Sequence, residues 1–325
     1  CGQRRSEPVG SGQDVEAMAM ETRRIGSLDV SVVGLGTNNF GFRMDEADVP
    51  AVVDAALDAG ITLVDTSDSY GRSERRLAQA LGARRADVVL ATKFASPLGP
   101  DRPGGARPEY IRSAVERSLR ELATDHIDLY QIHRPDPDTP IADTLATLDE
   151  LVVAGMVREI GCSNFSADQL LAADQAVKDG ATRFVSVQNH YNLLHRADEA
   201  DVLPTCERLG LAYIPYFPLA SGLLTGKYRR GERPPAGTRL AAWGDRGDAL
   251  LSERNFGRVD RLTAWAEARG HRILELAIAW LLAKPMVASV IAGATTAGQV
   301  GANAAVTWRL SAEEVAEVDA MTAAP

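Results

Sequence analysis

The sequence predicts a (β/α)8 barrel, and three observations carry that reading. Eight short apolar runs recur from Arg24 onward. Amphipathic segments separate them at a period of about thirty to forty residues, as parallel strands joined by crossover helices require. A polar or charged residue ends nearly every run, and in a barrel those ends share one face. A doubly wound sheet is the alternative fold. Its glycine signature is not supported, because GLGTNNFG (34–41) does not have the G-x-G-x-x-G spacing.

The elements follow in chain order. METRRIGSLDVSV (20–32) reads as a short hairpin, too sparse in apolar residues for a barrel strand and placed to plug the bottom of the barrel. The eight runs are VVGLG (32–36), ITLVD (61–65), VVLATK (88–93), IDLYQIH (127–133), VREIGCSN (157–164), FVSVQ (184–188), LAYIPY (211–216) and ASVIAG (288–293). Pro108 at the first helical position and Glu109 in the first turn open a helix whose buried stripe is Ile111, Ala114, Val115, Leu119 and Leu122. In the next helix Thr139 is the expected cap, Ile141, Leu145, Leu148, Leu151 and Val152 face inward, and Gly155 ends it. Ala95 to Arg107 and Ser221 to about Asn255 are long for connections, which marks them as functional or mobile.

The chain has 325 residues, 45% hydrophobic and 24% charged, which suits one barrel domain over 21–325. Residues 1–20 are rich in Gly, Ser, Gln and charge and are expected to be a disordered tail. Cys1 raises the idea of a lipid-modified terminus, but no lipidation signal is visible, and a truncated start is the expectation. With Cys162 and Cys206 it makes three cysteines, too few and scattered for a disulfide framework or zinc knuckle. Forty-four acids against thirty-five bases give a charge of −9 without a basic stripe, which argues against nucleic-acid or anionic-membrane partners. No apolar run reaches the roughly eighteen residues of a membrane span, and a cytoplasmic location is expected.

Asp65, Lys93, His133, Ser163 with Asn164, Gln188, Tyr216 and Gly293 end the runs. A buried Lys93 needs a carboxylate, and Asp65 on the adjacent strand can supply one; a purely structural ion pair is the competing explanation. His133 alone could be a satisfied core histidine, and Tyr70 a loop aromatic. Together they suggest more. A free phenol has a pKa of about 10, a nearby ammonium lowers it, and a neutral imidazole can orient a carbonyl oxygen beside it. Such a set passes a proton to or from a carbonyl.

In the contexts DTSDSYG, ATKFA and YQIHRP these four residues resemble the aldo-keto reductase superfamily, and the likeness runs from Arg24 past Asn303. The resemblance implies a (β/α)8 TIM barrel that binds a nicotinamide cofactor without a Rossmann domain. It implies that Tyr70 is the proton donor, Lys93 tunes it, Asp65 anchors the lysine and His133 orients the substrate, with hydride passing to or from the carbonyl carbon.

The same resemblance implies that Ser163, Asn164 and Gln188 bind the carboxamide and that Tyr216 stacks on the nicotinamide ring. Gly36 and Thr37 join the cofactor site, and the pyrophosphate lies along Leu219, Ser221 and Lys227. VIAGATTAGQVGAN (290–303) matches the adenosine-phosphate segment through Gly293, Thr295, Gln299 and Asn303. NADP(H) is favoured, since Thr295 can donate to a 2′-phosphate, and NAD(H) stays open, since this chain departs from the many members that carry Lys or Arg near Thr295 and an acid where it has Ala302. The substrate wall is expected from Asn39, Phe40, the 95–107 loop and Trp243, the aromatics giving an apolar rim.

Other motifs fail on their chemistry. GCSNF lacks the last glycine of a nucleophile elbow, TGKY is not a phosphate loop, and His190 and His195 lack the glutamate pattern of a metalloprotease helix, so no metal set is read. A small-molecule carbonyl or alcohol is the expected partner; the oligomeric state is not readable. Two rival roles remain open. One is a nicotinamide-binding regulatory subunit resembling potassium-channel β subunits, relatives that tend to lose the histidine retained here. The other is an aldose or lactol dehydrogenase working in the oxidative direction.

Overall fold

The structure is a computed structural model and describes residues 20–322. Cys1 and the expected tail through residue 19 lie outside the described residues. A two-residue turn at Gly26 and Ser27, with Gly26 at φ +57°, joins β1 (Thr22–Ile25) to β2 (Leu28–Ser31) in an antiparallel hairpin. The barrel follows: β3 (Val33–Gly36), β4 (Leu63–Asp65), β5 (Val89–Phe94), β6 (Ile127–Ile132), β7 (Val157–Ser163), β8 (Phe184–His190), β9 (Ala212–Tyr216) and β10 (Val290–Gly293). All eight pair in parallel and in sequence order, and β10 closes on β3. Each coincides with one of the eight apolar runs.

Period-two alternation sorts each strand's side chains. Val64, Leu90, Tyr130, Cys162, Val187 and Tyr213 face outward into the shell beneath the helices. Leu63, Ala91, Leu129, Ile214 and Ile291 form a second cluster with Ile25, Leu28 and Val30 of the hairpin. The hairpin is therefore the bottom plug that its position predicts. It is pinned by the Ser27 amide, which donates to Glu159 Oε1 at 2.7 Å. Two residues further along the same inward register come Asp65, Lys93 and Gln131, so the polar strand ends face one another over this apolar floor.

The helices Pro108–Glu121 and Ile141–Val153 lie where the spacing places them, with three differences. In the second helix, Ile141 and Val152 are only partly buried, while Thr144 and Thr147 join its buried face. Ser118 rather than Leu119 completes the first buried stripe, since Leu119 is only partly buried. Thr139 does not cap the second helix. Its hydroxyl donates to Asp136 Oδ2 at 2.7 Å, and Pro140 stands at the cap position without a side-chain bond. The long 221–255 connection also carries short helices at Arg239–Ala242 and Asp245–Leu250, which its Gly and Pro content obscures. No helix of the described residues is long and apolar enough to cross a membrane.

Candidate active site

A cavity of about 840 Å³ opens at the C-terminal ends of the strands, with Asp65, Tyr70 and His133 on its wall. Lys93 is fully buried behind Tyr70. Its Nζ donates to Asp65 Oδ2 at 2.6 Å and to the Thr66 carbonyl at 2.9 Å, and lies 5.2 Å from the centre of the Tyr70 ring. Asp65 Oδ1 accepts from Gln188 Nε2 at 2.9 Å and from Gln131 Nε2 at 3.4 Å. One buried charge pair with its lone pairs satisfied thus sits directly behind a phenol that faces open space.

The Tyr70 pKa moves opposite to the expected direction. Burial, which disfavours tyrosinate, is the largest influence and raises it; the Lys93 ammonium lowers it and Asp65 raises it again. The phenol is held protonated. Burial also dominates at His133, helped by the Lys93 and Arg134 charges, and brings its pKa down to about 3, so the imidazole is neutral at neutral pH. Three hydroxyls converge on His133 Nδ1: Ser67 at 3.1 Å, Ser96 at 3.2 Å and Ser69 at 3.4 Å. The rings of Tyr70 and His133 meet edge to face with centroids 5.7 Å apart.

The glycines of GLGTNNFG explain themselves in space. A Cβ on Gly41 would overlap the carbonyl oxygen of Tyr70, so this glycine lets the 38–42 turn close against the backbone of the phenol-bearing residue. Gly36 is similar: a Cβ there would lie 2.9 Å from Ile291 Cγ2.

The cofactor-candidate residues Gly36, Thr37, Ser163, Asn164, Gln188, Tyr216, Leu219, Ser221, Lys227, Gly293, Thr295, Gln299 and Asn303 all line the same cavity. Ser163 Oγ donates to the Gln188 carbonyl at 2.6 Å, Asn164 Nδ2 to the His133 carbonyl at 2.9 Å, and Tyr216 OH to Asn164 Oδ1 at 2.8 Å. Behind Tyr216, His190 stacks at 5.5 Å and 14°, and His195 on His190 at 4.0 Å and 7°. The histidine pair set aside in the sequence therefore buttresses one face of an aromatic that lines the cavity. Along the groove, Phe217, Ala220 and Ser221 take positive φ, and Gly222 at +97° leaves room for the Lys227 ammonium. Burial, then the Arg43 and Arg239 charges, lower the Lys227 pKa.

Two expected substrate residues do not reach the cavity. Phe40 is fully buried in the outer core, because its turn points it under the helices, while Asn39 faces the wall. Trp243 is half-buried and packs behind Phe217, centroids 5.8 Å apart, and Phe217 rather than Trp243 lines the cavity. No residue of the 95–107 loop lines it either; this loop reaches the site only through Ser96. Asp68, the second acid of DTSDSYG, points away from the cavity to Arg102 at 3.0 Å, and burial raises its pKa to about 6.

Sequence reasoning missed Arg43, Arg134 and Arg239, which line the cavity, and the serines at His133. Arg239 Nη2 donates to Asn38 Oδ1 at 2.8 Å and to Asn39 Oδ1 at 3.0 Å, a contact across some two hundred positions that no local pattern signals. Arg134 was marked only by its place after His133.

The chain is similar to known proteins over nearly its whole length. The profile of the Aldo/keto reductase family matches residues 32–323. An uncharacterized oxidoreductase of Bacillus subtilis, YrpG, is 36% identical, the alignment covering 84% of this chain and 86% of that protein. A probable voltage-gated potassium channel subunit beta of Oryza sativa is 34% identical, covering 87% and 90% respectively. The L-glyceraldehyde 3-phosphate reductase of Escherichia coli K12 is 30% identical, covering 90% and 89%.

Proposed function

Because the chain belongs to the aldo/keto reductase family, we propose that it is a nicotinamide-dependent carbonyl reductase acting on a small aldehyde or ketone, with NADP(H) favoured over NAD(H). The observation that carries this reading is the convergence of Asp65, Lys93, Tyr70 and His133 at one large cavity. The cavity's groove suits a phosphate-rich dinucleotide. Arg43, Lys227 and Arg239 line it without a carboxylate partner among the described residues, and their mutual repulsion is what a polyanion relieves. Ser163, Asn164 and Gln188 would hold the carboxamide and Tyr216 the ring face, while Gly293, Thr295, Gln299 and Asn303 would hold the adenosine phosphate.

When bound, the nicotinamide supplies the hydride. Tyr70 donates its phenolic proton to the carbonyl oxygen, which needs the protonated form that burial maintains. Lys93, fixed by Asp65 and the Thr66 carbonyl, stabilises the phenolate left behind without itself moving. The serine hydroxyls at Nδ1 can donate to it, and neutral His133 in that tautomer carries its proton on Nε2 and donates it in a hydrogen bond to the same carbonyl oxygen. Alcohol oxidation runs through the same transition state in reverse.

The channel-subunit relative favours a second reading, a nicotinamide-binding regulatory subunit built on this barrel. Steady-state oxidation of NADPH and of NADH against a panel of aldehydes, ketones and aldoses separates the two. Turnover of at least one member supports the reductase; tight cofactor binding with no turnover of any member contradicts it in favour of the regulatory role.

A further inference from the structure

We propose that Arg134 is an anion-binding residue of the substrate subsite, so that the carbonyl substrate carries a phosphate or carboxylate group; this rests on the reductase reading above. The starting observation is one of charge. The chain has a net charge of −9, yet its cavity wall carries Arg43, Arg134, Lys227 and Arg239 against a single carboxylate, Asp65, which Lys93 engages at 2.6 Å. A cationic cavity in an acidic protein focuses anions into itself.

Three of these cations belong together. Arg43 and Arg239 both act on Lys227, and they lie along the groove assigned to the cofactor phosphates. Arg134 is separate. It follows His133 in the chain and its charge acts on His133, whereas the cations that act on Lys227 are Arg43 and Arg239. Arg134 is exposed and lines the cavity beside His133, at the end where the carbonyl would be reduced.

The acid nearest to it in the chain is not available to pair with it. Asp136 is occupied by the Ala106 amide at 2.7 Å, the Thr139 hydroxyl at 2.7 Å and the Asp138 amide at 3.1 Å. Arg134 makes no ion pair or hydrogen bond among the described residues, whereas Arg102 and Arg158 elsewhere on the barrel are held by buried carboxylates at 3.0 and 2.8 Å. An unpaired cation beside a catalytic imidazole makes protonation of that imidazole harder, and its planar fork matches the oxygens of a phosphate or carboxylate. The residue after the catalytic histidine therefore selects by charge, while the histidine acts on the carbonyl.

The test compares kcat/KM for glyceraldehyde 3-phosphate, succinic semialdehyde and uncharged glyceraldehyde in wild type, Arg134→Lys and Arg134→Gln, at two ionic strengths. The expected result is a wild-type preference for the anionic aldehydes. That preference should fall roughly ten- to a hundredfold in Arg134→Gln, partly survive in Arg134→Lys and weaken with salt. Loss of preference for only one of the two anionic aldehydes identifies phosphate or carboxylate as the group recognised. An unchanged ratio in Arg134→Gln overturns the proposal while glyceraldehyde turnover leaves the reductase reading standing. No turnover of any aldehyde by wild type overturns both.

Discussion

Asp65 and Asp128 are both buried carboxylates on strands that flank β5, and they are satisfied in opposite ways. Asp128, near the start of β6, accepts from the Leu90 amide at 2.9 Å, Arg85 at 2.9 Å and Arg158 at 2.8 Å, and its arginines reach solvent. Asp65, at the end of β4, is held by a lysine with no exposed surface and by two glutamines, and the lysine's next neighbour is a phenol that faces a cavity. The first network ends in water and explains itself as a strand clamp. The second ends in a group that could react, and the same fold supplies both because only the C-terminal strand ends open onto the cavity.

The comparison breaks first at Lys93. Lys93→Met should lower kcat by about a thousandfold or more, measured in steady state, because the phenolate formed on proton donation loses its counter-charge. Gly41→Ala should follow at roughly a hundredfold in kcat. Its new methyl must push the Tyr70 backbone aside, and a displacement of about an ångström has that effect on a positioned group. A rate unchanged in Gly41→Ala would show that the turn yields without moving the phenol.

Asp128→Asn sharpens the contrast from the other side. It should cost about 1–3 kcal/mol in denaturant unfolding, discounted because its arginines are partly solvated, and leave kcat as in wild type. The smallest effect is expected at Glu74, whose buried carboxyl accepts from Thr92 Oγ1 at 2.7 Å. Burial raises its pKa to about 7, and the nearby Asp68 adds to the rise. Its folded form keeps a proton that the unfolded chain, near 4.5, gives up, so stability is lost as pH rises through about 7. Glu74→Gln removes that loss. Its melting temperature should exceed that of wild type at pH 8, by the equivalent of about 1–2 kcal/mol, and show no gain at pH 4.

The strand ends were legible because parallel strands buried on both faces are written as continuous apolar runs, and period two carries the last inward side chain to the open end. That logic reached Asp65, Lys93 and Gln188 from the chain alone. It could not reach groups whose direction is decided by tertiary packing. Phe40 and Asn39 are neighbours, yet one enters the core and the other faces the cavity. The serines on His133 come from the turns after β4 and β5, and Arg239 meets Asn39 from the distant connection between β9 and β10. The Tyr70 pKa is a balance of burial and Asp65 against the Lys93 and Arg239 charges, and residue types alone do not say which prevails. GLGTNNFG reads as a failed nucleotide motif until Gly41 is seen against Tyr70.

The most direct test of the account is single-turnover hydride transfer in Tyr70→Phe beside wild type, each saturated with NADPH and mixed with an aldehyde that the wild type reduces. Loss of about three orders of magnitude in the transfer rate, with NADPH affinity within a few fold, is the predicted result. A Tyr70→Phe enzyme that transfers hydride at the wild-type rate would contradict the assignment of Tyr70 as proton donor, and with it the reading of the Asp65, Lys93 and His133 cluster.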